Sequence, residues 1–428
     1  MSTPNPRIDL AGDSPAESYR RIRSRTVALC EPLSPEDMTV QSMPDASPAK
    51  WHLAHVTWFF ERFVLQRHQA GYAVFDTAYD HLFNSYYFTV GQMYRRPRRG
   101  LISRPGVERI LAYRAHVDRA IAPLLERADD TIRFLVTLGL HHEQQHQELL
   151  LTDLKHLLAQ NPQWPAYAAV PGPAAGHPAE AAPPTWHGYP GGVTEIGAEP
   201  GGDRFVYDNE TPRHRVWLDA FEIADRPVAN AEFRQFIGDG GYRRSEWWLS
   251  DGWSRVQDEQ WQRPLYWQDD LQHHFTLAGL QPLDPAAPVC HLSYYEADAY
   301  ARWAAEQVPG ARLPTEAEWE LAARDLPLQG HFADSGVLDP RPAAGAGLRQ
   351  MYGDVWEWTS SPYAPYPGFQ SLAGSLGEYN GKFMCSQLVL RGGSCATPAG
   401  HLRPTYRNFF YPHQRWQFSG LRLARTPR

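Results

Sequence analysis

His142, Glu143 and His146 stand in the order H-E-x-x-H within the stretch HHEQQHQE, which runs from His141 to Glu148. Residues four apart on a helix project from one face, so the two imidazoles can share a metal ion. In a zinc protease the intervening glutamate would be the general base. A zincin needs a third ligand as well, either a downstream Glu or the last histidine of H-E-x-x-H-x-x-G-x-x-H. That longer pattern requires Gly and His where this chain has Leu149 and Thr152, so the protease reading weakens. A plainer alternative is a solvated polar face on a helix rich in Gln and Glu. Against it, His142, His146, Leu149 and Asp153 form one stripe with apolar residues before and after, which points them into an interior.

The elements that must position this pair are long amphipathic helices. The runs SPAESYRRIRSRTVALCEPL, KWHLAHVTWFFERFVLQRH, VERILAYRAHVDRAIAPLLERA and TIRFLVTLGLHHEQQHQELLLTDLKHLLAQ give four candidates, enough for a bundle, with Ser47-Pro48 as cap and first-turn proline of the second. Bundles build metal sites from facing helices, so a third ligand belongs on another helix. The second offers His52 and His55, and its stripe of Trp51, His55, Trp58, Phe59 and Arg62 favours His55; a buried histidine bonded to a backbone carbonyl is the competing reading. Three neutral imidazoles suit Zn, Fe, Cu or Ni. Between the second and third helices lies the long stretch GYAVFDTAYDHLFNSYYFTVGQMYRRPRRGLISRP, and a loop of that length in a compact domain is usually functional. Its Tyr86 and Tyr87 could donate a proton beside a metal, and its arginines could clamp a carboxylate. The other reading is an aromatic loop packed on the bundle with surface arginines.

The chain has 428 residues, 43% hydrophobic and 13% aromatic, which describes a globular protein with room for two domains. A formal charge of −7 gives no general field for nucleic acid, and no run is long and apolar enough to span a membrane. The amino-terminal stretch has no signal-peptide pattern, and the four cysteines are widely spaced without C-x-x-C, so a reducing, cytoplasmic setting is expected. The helix bundle is placed at 14–160. A linker rich in Pro, Ala and Gly is placed at 161–185, and an irregular α+β domain at 186–428. In that last region HRVWLDAFEIA and LVLRGG read as strands, while SYYEADAYARWAAEQ and TEAEWELAARD read as capped helices.

Taken together, H-x-x-x-H-x-E at His142, His146 and Glu148, W-x-L-A-H ending at His55, and FNSYY…RRPRRGLISRP resemble the DinB-like four-helix bundle of ergothioneine sulfoxide synthases. RLPTEAEWELAAR, GDVWEWTSSPY, LVLRGGSCATP and RPTYRNFFYPHQRWQFSGLRLAR resemble the second domain of the same proteins. That domain is a C-type-lectin-like α+β fold related to formylglycine-generating and sulfatase-modifying enzymes. The likeness runs over nearly the whole chain. It implies a non-haem iron(II) centre on His55, His142 and His146, which uses O2 to join a cysteine sulfur to C2 of the hercynine imidazole as a sulfoxide. NSYY matches the branch associated with free cysteine rather than γ-glutamylcysteine. On that match Tyr87 is the proton donor with Tyr86 beside it. Arg96, with Arg95 as fallback, would meet the cysteine carboxylate. Gln145 and Asn408 would position hercynine, and Phe409 and Phe410 would face its trimethylammonium group.

Two departures sharpen the expectation. The other branch has an Asp after the equivalent Asn, where this chain has Phe409 and Phe410. Formylglycine-generating enzymes use paired cysteines near the G-G-S segment, where only Cys395 lies here. Competing functions on the same fold are selenoneine synthesis or a 5-histidylcysteine sulfoxide synthase. A zinc-dependent DinB-type thiol transferase and a noncatalytic binding protein are more distant. Small molecules, not nucleic acid or membrane, are the expected partners.

Overall fold

The computed structural model describes residues 14–168, 182–202 and 204–427. Of the expected linker at 161–185, residues 169–181 lie outside the described residues, as does the amino-terminal stretch 1–13. The chain forms two compact units. The first is Met1–Asn161 with Ala198–Pro212 and Gly368–Lys382, and the second is Pro162–Gly197, Arg213–Pro367 and Phe383–Arg428. No helix among the described residues is long and apolar enough to cross a membrane.

Helices form where the four amphipathic runs stand: α1 (Pro15–Ala28), α2 (Ala49–Phe60), α3 (Val107–Leu125) and α4 (Asp130–Ala159). Ser14 and Glu17 close a capping box on α1, and the Asp129 carboxylate accepts from the Ile132 N–H to start α4, satisfying donors that a helix start leaves free. The second helix starts differently from expectation. Pro48 holds the cap position and no side chain caps it, because Ser47 is engaged elsewhere: its Oγ accepts from Arg99 at 2.9 Å and its N–H donates to Asp153 at 2.7 Å. Beyond Phe60 the helix widens into a π turn, Glu61–Leu65, whose buried Glu61 accepts from Tyr113, Tyr72 and the Phe75 N–H.

Helix α2 is buried at every residue, and α4 is buried at His141, His142, Glu143 and Gln144 in succession, more than one face. The stripe expected on α4 is therefore incomplete as a description. Leu149 is only half-buried, whereas His141 is buried because Phe205, from the returning segment 198–212, stacks on it with ring centroids 4.5 Å apart. Gly139 sits where α4 faces α2. A Cβ there would come within 2.6 Å of the Phe60 ring and 3.0 Å of Phe59, so glycine permits an approach that alanine would obstruct.

The second unit holds a four-stranded sheet in the order Trp186–Tyr189, Phe221–Ala224, Ala424–Arg425, Ala311–Arg312. A further sheet runs in the order Asn408–Phe410, Leu388–Arg391, Trp356–Pro362, Ser419–Gly420. Its sequence motifs are built into buried ion pairs. Glu357 of GDVWEWTSS accepts from Trp319 Nε1 at 2.7 Å and from Arg422, and Glu316 of TEAEWELAAR accepts from Arg391 and Arg407. Thr315 and Ser293 start the two expected helices with capping boxes, while the helices Asn230–Gly238 and Ser250–Asp258 add to them. Cys395 is buried and Cys385 is exposed.

Replacing Gly139 with Ala should destabilise the bundle by about 1–3 kcal/mol despite alanine's better helix propensity, since the added methyl has no room. Chemical denaturation of wild type and variant checks this, and a more stable variant would contradict the close approach.

Candidate metal centre

His142 and His146 lie one turn apart on α4, and His55 faces them from α2. Among the described residues they are the one group of histidine, cysteine or carboxylate side chains placed to hold a metal ion, with ligand atoms all within 4.8 Å of one another. His55 Nε2 and His142 Nε2 are 3.2 Å apart. Two nitrogens bound to one ion at about 2.1 Å and at right angles are about 3.0 Å apart, so this spacing fits a shared cation. The Nδ1 of His55 is 2.6 Å from the Phe83 carbonyl, which can only accept, so that nitrogen carries the proton and the Nε2 lone pair points at the cluster. Burial pushes the imidazolium forms of His55, His142 and His146 well down, to about 3 for His142, and the neighbouring histidines add to this for His55 and His146. Neutral imidazoles are the ligating form. Nδ1 of His142 is buried without a hydrogen-bond partner. The donor set fits a borderline divalent ion such as zinc or iron.

Around the three rings the bundle is aromatic. Trp51 stacks on His55 with centroids 4.6 Å apart, and Phe59 packs 4.9 Å from His142. Tyr87 is buried, 5.7 Å from Trp58 and 5.0 Å from Phe63, and its hydroxyl has no hydrogen-bond partner; burial pushes its ionisation far up, so the hydroxyl keeps its proton. Tyr86 adopts a left-handed backbone, φ 68°, and its hydroxyl accepts from Arg96, which also donates to the Asp45 carbonyl. Arg95 is exposed. Gln145 lies one turn along α4 with its Oε1 accepting from the Tyr379 hydroxyl, and the Tyr379 ring stands edge-on to His142 at 5.4 Å.

The second unit carries Asn408, Phe409 and Phe410 on one short strand paired with Leu388–Arg391. The Phe409 ring already stacks on Tyr363 with centroids 4.0 Å apart, so one of its π faces is taken. Phe410 meets Trp416 in a near-perpendicular arrangement.

Two side chains beside the centre escape a reading of the sequence. Tyr379 stands 234 positions from Gln145, and no local pattern links them. Arg99 is one of four arginines within five residues, yet it alone is buried, 3.4 Å over the Trp51 ring, and donates to Ser47 and Ser85. Burial draws its ionisation down to about 9. The burial of Trp51 and the small polar residues at 47 and 85 are signals only once the loop is folded.

Glu143, the would-be base of H-E-x-x-H, is not turned to the cluster. Its carboxylate takes Arg23 Nη1 at 3.0 Å, the Thr26 hydroxyl at 2.6 Å and Arg114 Nη2, while Arg23 and Arg114 both reach Thr57. Burial alone would raise its pKa, but the two guanidinium groups and the hydrogen bonds from Thr26 and Arg114 outweigh that and hold it at about 2. The folded value lies below the ordinary carboxyl value, so the stabilisation is complete above about pH 4.5 and fades as the pH falls toward 2. Glu143→Gln should cost about 3–5 kcal/mol at pH 7 by leaving two buried arginines short of an anion, and should flatten the acid-side loss of stability. Denaturant unfolding of both proteins at pH 7 and pH 3 measures this. Equal slopes against pH would remove Glu143 from that role.

Comparison with known proteins places the whole chain. Residues 18–150 match the DinB superfamily, and residues 177–344 and 336–427 match the sulfatase-modifying factor enzyme 1-like domain. A hercynine oxygenase of Mycobacterium tuberculosis is 34% identical over 94% of this chain and 96% of its own length. The hercynine oxygenase of Mycolicibacterium smegmatis is 34% identical over 97% and 99%. A formylglycine-generating enzyme of Streptomyces coelicolor is 30% identical but covers only 54% of this chain, so the likeness that includes the bundle and its histidines is to the first group. By identity over its full length and by the order of its two domains, the chain belongs to the hercynine oxygenase family of enzymes.

Proposed function

We propose that this enzyme is an iron(II)- and O2-dependent sulfoxide synthase that joins cysteine to C2 of the hercynine imidazole in ergothioneine biosynthesis. What supports the reading is the convergence of His55, His142 and His146 from two helices in a chain of this family. The reaction balances as hercynine plus cysteine plus O2 giving the conjugate sulfoxide plus water: one oxygen atom stays on sulfur, and the other leaves with the imidazole C2 hydrogen and the thiol hydrogen. Iron(II) held by the three imidazoles would supply one-electron chemistry with O2 and an open face at which the two substrates meet.

The side chains divide the remaining work. Tyr87, buried and protonated with a hydroxyl that bonds to nothing, is the proton donor, and Tyr86 orders the loop beside it through Arg96. Arg96 exchanges part of its present bonding for the cysteine carboxylate, with Arg95 as the fallback. Gln145, aligned by Tyr379, orients hercynine. The aromatic lining of Trp51, Trp58 and Phe59 keeps the three imidazoles neutral and dry.

Mass spectrometry of products from anaerobically iron-loaded enzyme given hercynine, O2 and either cysteine or γ-glutamylcysteine tests the proposal. A hercynine–cysteine sulfoxide formed only with cysteine is expected. The conjugate formed only with γ-glutamylcysteine would overturn the donor, and no conjugate from either would overturn the function. His55→Ala should lose iron and turnover together, as read by metal analysis and product yield. Tyr87→Phe should keep its iron but lose most sulfoxide formation, whereas Arg96→Ala should raise KM for cysteine about 10- to 100-fold with iron retained.

A further inference from the structure

His146 has a partner that the ligand cluster does not use. Its Nδ1 lies 2.8 Å from Nδ1 of His52, and His52 Nε2 lies 3.1 Å from Oδ2 of Asp153, which also accepts from the Ser47 N–H at 2.7 Å. All three side chains are buried. His52 is one turn before His55 on α2, and Asp153 is two turns beyond His146 on α4, so the chain of contacts spans the same two helices as the cluster.

The proton positions along this chain follow from its two ends. At one end a carboxylate can only accept, so His52 Nε2 carries the hydrogen and donates to Asp153. At the other, a His146 that gives its Nε2 lone pair to the metal carries its hydrogen on Nδ1, and His52 accepts it on its own Nδ1. The buried carboxylate thus polarises His52, which in turn polarises His146.

We propose that Asp153 and His52 are positioning residues that lock His146 into its Nε2-ligating tautomer and, by relaying negative charge, strengthen it as a donor and favour the higher oxidation state of the bound iron. The inference rests on the reading that His55, His142 and His146 hold the metal. It needs nothing of the substrates, so it stands or falls apart from the choice of sulfur donor. His55 takes its orientation from a backbone carbonyl and His142 Nδ1 has no partner, so His146 is the ligand whose basicity a side chain controls.

The test uses the full-length protein, stripped of metal, as wild type, Asp153→Asn, His52→Leu and His52→Gln, with circular dichroism to verify folding. Cobalt(II) titration followed by its visible ligand-field bands gives affinity and coordination, and the iron(III)/iron(II) potential gives donor strength. His52→Leu should bind cobalt about 10- to 100-fold more weakly. His52→Gln should recover most of that loss, since its amide oxygen can accept from His146 while its N–H donates to Asp153. Asp153→Asn can keep both hydrogen bonds through its carbonyl oxygen, so it should shift the potential upward with little change in affinity. Wild-type affinity, spectrum and potential in both His52→Leu and Asp153→Asn would overturn the relay, as would equal weakening in the Leu and Gln variants, which marks lost packing. A wild type that takes up neither cobalt nor iron would overturn the metal centre itself, and the relay with it.

Discussion

The carboxylate of Glu143 is where all four helices of the bundle are tied. It sits on α4, receives Thr26 and Arg23 from α1 and Arg114 from α3, and both arginines reach Thr57 on α2. A buried anion without these partners would cost several kcal/mol; with them it is held at a pKa of about 2 and sets the relative rotation of the helices. Glu143 immediately follows His142, so the rotation that aims the carboxylate at the arginines also aims the imidazole at His55. Gly139, one turn earlier, removes the side chain that would hold α2 away.

The same helix therefore has two interiors. On one, Glu143 and Gln147 face α1, where Gln147 donates to the Ile22 carbonyl and to Thr26. On the other, His142 and His146 face α2, backed by Asp153 and His52. A soluble helix usually buries one stripe, and this one can bury more because the segments 198–212 and 368–382 return to it from far along the chain. They bring Phe205 onto His141 and Tyr379 beside His142 and Gln145.

Burial does much of the electrostatic work without a charged partner. It keeps the three imidazoles neutral, keeps Tyr87 protonated and lowers Arg99 to about 9. Where carboxylates stand in the interior, as at Glu143, Glu316 and Glu357, two or more donors meet each one. In the second unit this accounts for two of the motifs that carry the resemblance: TEAEWELAAR and GDVWEWTSS supply glutamates for buried arginines and tryptophans for the core.

What the sequence determines by itself is periodic or local. Four amphipathic runs, the capping boxes begun by Ser293 and Thr315, strands at HRVWL and LVLR, and the spacing of His142 and His146 are all legible, because each depends on residues within a few turns of one another. The missing zincin glycine and histidine likewise weaken the protease reading of H-E-x-x-H from the sequence alone. Only the tertiary structure decides what Glu143 does instead, which of the crowded arginines is buried, that Ser47 serves Arg99 and Asp153 rather than capping α2, and that Tyr379 reaches Gln145. Each of these depends on partners tens to hundreds of residues away, brought together by helix rotation and by returning segments that leave no period in the sequence.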